Sequence, residues 1–202
     1  YNDSLGIEKL QKYASLFGLN ERTGIEIEEA APQIANEFPV MAAIGQSNNN
    51  YTTVQLARYV TAVANEGTVY QYTLLNRLED SDGNVLQTFE PQVRNQIDVL
   101  DTEEWNAIHS GMRMVVESHK EFDGFPIAVA GKTGTAQQNL KRPNHALFVG
   151  YAPYDDPEIS IATRIAYGYT SHNAAKLARN VFAYYFNVEN EDELLNGQAA
   201  NG

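Results

Sequence analysis

The chain has 202 residues, 43% of them hydrophobic, a formal net charge of −12 and no cysteine. That is enough apolar material for an ordinary globular core, while the acidity argues against a nucleic-acid partner, which needs a basic surface. The lack of thiols excludes cysteine catalysis, disulfides and Cys-based zinc sites, and no apolar stretch approaches the ~18 residues of a membrane span.

The chain opens straight into helical periodicity, with Ile7, Leu10, Tyr13, Ala14 and Phe17 on one side and Gly18 as a stop. Opening without a leader predicts a cut end. Residues 20–43, with Pro32 and Pro39, read as loop. A second helix is expected from about Thr52, with Val54, Leu56, Val60 and Val63 buried and Gly67 ending it. Residues 70–77 and 84–89 read as two strands joined by the turn Asp80-Ser81-Asp82-Gly83. Asp101 and Glu104 have capping-box spacing ahead of a third helix, whose stripe is Trp105, Ile108, Met112 and Val115.

Gly124 and Pro126 break the chain before three strands, expected at about 126–137, 145–153 and 158–167. Asp155-Asp156-Pro157 turns between the last two. A final helix is expected over about 172–186, capped by Ser171, with Ala174, Leu177, Val181 and Tyr184 as its inner face. Residues 1–187 then form the folded part, and 188–202 an acidic tail expected to be disordered. Helices, an antiparallel meander and a terminal helix make an α+β pattern, an antiparallel sheet with flanking helices.

The most informative segment is Lys132-Thr133-Gly134-Thr135, on one of two neighbouring apolar strands. Lys132 brings a positive charge to a site that could hold a carboxylate and support proton transfer. Strand alternation puts Thr133 and Thr135 on one side, where two hydroxyls could bind a carboxylate or amide. Gly134 carries no side chain, so another backbone could approach and add as a strand along the edge. The Thr135 N–H is then placed to help form an oxyanion hole. Alternation also puts Lys132 opposite both threonines, so one site can use all three only at a sheet edge. A bare Lys-Thr-Gly triplet is a weak signal, and an exposed strand with an edge lysine is its bland reading.

The context raises its weight. Tyr13-Ala14-Ser15-Leu16-Phe17-Gly18-Leu19 followed by Thr23-Gly24-Ile25-Glu26-Ile27, Gly45-Gln46 followed by Thr53-Val54-Gln55-Leu56-Ala57, Ala130-Gly131-Lys132-Thr133-Gly134-Thr135-Ala136-Gln137, and Ala146-Leu147-Phe148-Val149-Gly150-Tyr151-Ala152-Pro153 occur in order. In this the chain resembles the C-terminal part of the transpeptidase domain of class B penicillin-binding proteins, of the elongation or sporulation type. The resemblance implies a partial penicillin-binding/β-lactamase-like transpeptidase fold. It also implies serine acyl transfer on the D-Ala-D-Ala end of a peptidoglycan stem peptide, with β-lactams trapping the serine.

Carried over residue by residue, the resemblance gives Lys132 and Thr135 catalytic roles. It gives substrate binding to Thr133, Gly134, Thr135 and Gln137. No cofactor is implied. The setting implied is the outer face of the bacterial cell membrane, with the anchor outside this chain.

Two departures qualify that expectation. No Ser-x-x-Lys occurs, and Ser47-Asn48-Asn49 spells Ser-x-Asn at a place where the family has its Gly-Gln segment. The chain alone is therefore expected to be inactive and only weakly stable. The nucleophile and the Ser-x-Asn motif are expected on an N-terminal part of the same protein. A serine β-lactamase is the alternative enzyme, but Asp192-Glu193-Leu194-Leu195-Asn196 lies after the Lys-Thr-Gly strand, the wrong order for a deacylating loop. A non-catalytic sensor or scaffold that binds β-lactam or peptide is the alternative outside enzymes.

His109, His119, His145 and His172 are scattered without ligand spacing, so no metal site is expected. The acidic run 189–193 lacks the pattern of a calcium loop. Tyr167-Gly168-Tyr169 is a candidate border of a substrate groove.

Overall fold

The computed structural model describes residues 3–189 and Leu194. The chain divides into two compact units, residues 1–105 and 106–202.

In the first unit α1 (Asp3–Leu16) ends where Gly18 enters the left-handed region at φ +75°. Gly18 N donates to Ser15 O at 3.0 Å and Leu19 N to Ala14 O at 3.0 Å, the pair of bonds that closes a Schellman cap. Of the apolar residues expected inside, Tyr13 is exposed, since it lies on the outer flank of the helix. The loop expectation for 20–43 holds except for α2 (Pro39–Ala42), a single turn that Pro39 can start because its missing N–H costs nothing there. The α3 helix (Thr53–Ala64) carries a complete capping box between Thr52 and Gln55. Val60 and Val63 are buried as expected, but the same face also buries Gln55 and Arg58.

Arg58 is 1% exposed and organises the loop after α1. Its guanidinium donates to the carbonyls of Gly18, of Glu21 at 3.0 Å and of Arg22 at 3.1 Å. Burial pulls its pKa down, while Glu21 and Glu29 oppose that. Glu29 in turn accepts from Thr23 N at 2.7 Å, Thr23 Oγ1 at 2.9 Å and Thr52 Oγ1 at 3.2 Å. An Arg serving several backbone acceptors suits its forked, permanently charged donor set. The apolar part of this unit is Ala62, Val69, Ile97 and Trp105, with Phe17 edge-on to Trp105.

The segment expected as one strand over 70–77 is two. The β1 strand (Thr68–Gln71) pairs antiparallel with β4 (Gln92–Gln96), a strand the sequence reading missed. The β2 strand (Arg77–Glu79) pairs with β3 (Val85–Thr88) around the expected turn, where Asp80 Oδ1 accepts from Asp82 N and Asn84 N, each at 2.9 Å. Between β1 and β2 the Thr73 hydroxyl and Leu74 N donate to the Glu26 carboxylate.

The α4 helix (Thr102–Glu117) has the expected box: Asp101 N donates to Glu104 Oε2 and Glu104 N to Asp101 Oδ1, both at 2.9 Å. Trp105 is buried, but Ile108 is exposed and the buried valine near the end is Val116, one residue after the expected Val115.

In the second unit a 3-10 turn (Lys120–Phe122) precedes three antiparallel strands: β5 (Ala130–Ala136), β6 (His145–Ala152) and β7 (Ile159–Ile165), in the order β5-β6-β7. The α5 helix (Ser171–Tyr185) is capped by Thr170, whose hydroxyl accepts from His172 N, and not by Ser171. Its inner face is Ala174, Ala175, Ala178, Phe182 and Ala183. Leu177, Val181 and Tyr184, expected inside, are exposed. Large side chains mark the other face in the sequence, whereas the packed face uses small ones that let the helix lie close to the sheet.

Phe148 is fully buried in the core with Phe122 and the α5 alanines. A Cβ on Gly131 would stand 2.3 Å from its ring, and a Cβ on Gly150 2.7 Å. Of the tail, residues 190–193 and 195–202 lie outside the described residues, so that expectation and the one on 192–196 have no structural outcome. Glu189 pairs with Arg179, one contact at 2.7 Å.

Gly131→Ala is expected to lower stability by about 1–3 kcal/mol through overpacking; a urea melt of the natural protein with no change would refute the packing argument. Acid should also weaken the fold. Bidentate hydrogen bonds from Arg94, at 3.0 Å each, hold Glu21 below the ordinary glutamate value of 4.5. Its stabilising contribution is full above that value and is lost as pH falls through the lowered one. Glu21→Gln should therefore show a shallower loss of stability between neutral and strongly acidic pH, read from denaturant melts.

Candidate functional site

Along β5, residues of opposite parity face opposite sides of the sheet. Lys132 pairs with Val149, Thr133 with Phe148, Gly134 with Leu147 and Thr135 with Ala146. Cross-strand partners share a face, so Gly131, Thr133 and Thr135 lie on the side of Phe148, which α5 covers. Lys132 and Gly134 lie on the side of Tyr151, whose ring meets His109 of α4 edge-on at 5.6 Å. Lysine and hydroxyls are thus on opposite faces, as alternation dictates, and they converge only at the strand's outer margin.

That margin is open. Among the described residues β5 has a partner on one side only. Lys132 and Thr135 are exposed and Thr133 is half-buried. The Lys132 ammonium donates to Thr133 O at 2.8 Å, which bends the stem along the edge of its own strand. Gln137, just beyond the strand, is exposed.

The two glycines nearest Lys132, Gly131 and Gly134, differ. Gly131 is required by the core, because Phe148 and the Val149 carbonyl fill the space of a Cβ. Gly134 is not: a Cβ there would meet only Leu147, at 3.4 and 3.9 Å. Nothing in the chain's own packing demands the smaller residue.

A polar cluster that the sequence reading did not assemble ends this strand pair. His145 pairs with Ala136 and is buried. Its Nδ1 accepts from Tyr167 N at 3.1 Å, which leaves Nε2–H to donate to Gln138 Oε1 at 2.9 Å. Loss of solvent, then the nearby Arg164 charge, push its pKa down, in keeping with a neutral ring whose nitrogens are both used. Tyr167 lies against the His145 ring at 5.0 Å, donates nothing to it through the phenol, and accepts from Arg142 at 2.6 Å. Tyr167 and Tyr169 both have positive φ, 56° and 64°. The signal that could have found the cluster is positional: His145 opens β6 directly across from the last residue of the motif strand.

Ser47-Asn48-Asn49 serves its own loop. Asn49 Oδ1 accepts from Ala35 N at 2.8 Å, Asn48 Nδ2 donates to Asn36 Oδ1 at 2.6 Å, and Ser47 Oγ donates to Glu37 O. Two surface hollows of about 300 Å³ also lie in the first unit, one at Arg22–Glu29 and one at Gln71–Pro91. Of the four histidines, His119 and His172 come together with Glu121, which spacing along the chain could not reveal.

Comparison with known proteins adds a family. The "Penicillin binding protein transpeptidase domain" model matches residues 1–183. The peptidoglycan D,D-transpeptidase MrdA of Haemophilus influenzae is 32% identical over 220 residues, covering 91% of this chain and 33% of that protein. Penicillin-binding protein 2A of Bacillus subtilis is 27% identical, covering 98% and 31%. The chain thus spans about a third of the length of these relatives.

Among solved structures, PBP2 of Pseudomonas aeruginosa in complex with WCK 5153 matches with a TM-score of 0.76 at 25% identity, over 99% of this chain and 48% of that one. Penicillin-binding protein 2B of Streptococcus pneumoniae strain R6 gives 0.79 at 24%, over 93% and 33%, a likeness of fold. The α+β arrangement and the ordered segments around Lys132 agree with this match over nearly the whole chain, which belongs to the penicillin-binding protein transpeptidase family.

Proposed function

We propose that this chain supplies the substrate-aligning edge of a peptidoglycan D,D-transpeptidase. In this reading the natural protein carries a Ser-x-x-Lys and a Ser-x-Asn motif N-terminal to residue 1, and the residues here form the C-terminal part of its catalytic domain. The observation that carries it is the open side of β5 at Gly134, beside an exposed Lys132, in a chain that matches the family along almost its whole length.

The chemistry follows from the edge. A stem peptide ending in D-Ala-D-Ala lies along the open side of β5 and adds to it as a strand. Thr133 and Thr135 hold the terminal carboxylate, and Lys132 adds a positive charge beside the forming intermediate. Gln137 contacts the substrate beyond the end of the strand. The serine oxygen attacks the penultimate carbonyl carbon, and the oxygen of that carbonyl takes up negative charge. The Thr135 N–H bonds this oxyanion; one such donor is worth about 3 kcal/mol. The C–N bond breaks, the terminal D-Ala leaves with a proton, and an amine from a neighbouring strand takes the acyl group. A β-lactam enters by the same route and leaves the serine acylated. The reaction takes place on the outer face of the cell membrane, with the anchor elsewhere in the protein.

In the natural protein Lys132→Ala should slow acylation by penicillin about 10²–10³-fold, measured as a second-order rate; an unchanged rate would overturn the role. Gly134→Ala should keep stability within about 1 kcal/mol yet slow acylation, separating it from Gly131→Ala. The 202-residue chain alone should take no covalent label from a fluorescent penicillin. Labelling of that chain would show that it holds its own nucleophile.

A further inference from the structure

We propose that His119, Glu121 and His172 bind a divalent transition-metal ion, with Zn2+ the best match, and that the ion fastens the 3-10 turn to the first turn of α5. One ligand atom from each of the three residues lies within 4.8 Å of the other two. His119 stands at the head of the 3-10 turn, Glu121 within it, and His172 is the second residue of α5. The site is separate from the motif strand and does not depend on the acyl-transfer reading.

The spacing suits a small tetrahedral ion. His119 Nδ1 and Glu121 Oε2 are 3.3 Å apart. Ligands about 2.0–2.1 Å from a tetrahedral zinc are separated by about 3.3–3.4 Å. The two imidazole rings are 5.1 Å apart and tilted by 55°, so they are not stacked face to face. His172 Nδ1 lies 3.1 Å from Thr170 Oγ1. With Nδ1–H donating to that hydroxyl oxygen, Nε2 keeps its lone pair for a metal, the arrangement usual behind a ligating histidine. The same oxygen also accepts from His172 N at 3.2 Å, within the capacity of a hydroxyl.

The backbone on both sides is already held. Phe122, next to Glu121, and Ala174 and Ala175, close after His172, share one buried core. The His119 and Glu121 side chains are only 13% and 17% exposed. Less ordering is therefore needed on binding than at a site made of surface loops. Two imidazoles and one carboxylate favour Zn2+, Co2+ or Ni2+ over Mg2+ and Ca2+, which prefer oxygen ligands. Three protein ligands leave the fourth position to water.

Lys120, Lys176 and the N-terminal end of α5 all act against a cation. Both lysines are exposed, so solvent and salt screen them. Glu121 supplies the one negative charge in the ligand set, and its loss should be felt strongly.

The test is equilibrium dialysis of the natural protein against ZnCl2, with the metal counted by atomic emission. His172→Ala alters an exposed side chain and Glu121→Gln keeps the size of the residue it replaces. Each variant should hold one equivalent of Zn2+ fewer than the unaltered protein, or hold it at least tenfold more weakly. Co2+ in place of Zn2+ should give the visible bands of a tetrahedral site, and His172→Ala should lose them. Equal stoichiometry and affinity in all three proteins would overturn the proposal, as would no zinc retained by the unaltered protein at millimolar metal.

Discussion

The ring of Phe148 lies across the two glycines that face each other in the β5-β6 pair, and the strand edge that bears Lys132 takes its layout from that contact. No residue with a Cβ fits at Gly131 or Gly150 without displacing the ring or the backbone. Once Gly131 faces the core under α5, the next residue must face the other way. Lys132 is therefore turned out by a packing requirement one residue earlier. The face that the lysine takes is a consequence of how the core is filled, and its bond to Thr133 O only bends the stem along the edge.

The same core explains the choice of residues on α5. Ala174, Ala175, Ala178 and Ala183 keep the helix close to the sheet, and Thr163 bridges the two by donating to Ala174 O at 3.0 Å. A buried hydroxyl with a partner costs little, and here it fixes where the helix starts relative to β7. The first unit is built differently. Its loop after α1 is gathered by a buried guanidinium and a buried carboxylate, Arg58 and Glu29, that satisfy backbone groups no strand or helix serves. The pieces Phe17-Gly18-Leu19 and Thr23-Gly24 are held by this polar framework, with Gly18 leaving room for Arg58.

Much of the fold could be read directly from the residues. The three closing strands, the helix start near Thr52, the capping box at Asp101 and the turn at residues 80–83 all follow from local rules, because neighbours in sequence decide them, whereas the open side of the strand bearing Lys132 is set by the sheet order. Other features escaped for physical reasons. The pairing of β1 with β4, and the bonds from Thr73 and Leu74 to Glu26, join segments distant in sequence. On α5 the periodic large residues point outward and the small ones inward, so hydrophobic size misled. Arg58 is a charge that a sequence reading assigns to the surface. The His119, Glu121 and His172 group is assembled by chain reversals and has no signature in spacing, whereas the Gln138, His145 and Tyr167 group is marked only by the place of His145 across from the end of β5.

The buried guanidinium of Arg58 also bears on how the two units respond to temperature. Removing an ion from water becomes less costly on warming, since its hydration weakens. The apolar core around Phe148 relies on a driving force that fades on cooling. One chain thus joins a unit with a buried charge beside its apolar cluster to a unit whose core is apolar, and these two contributions change with temperature in different ways.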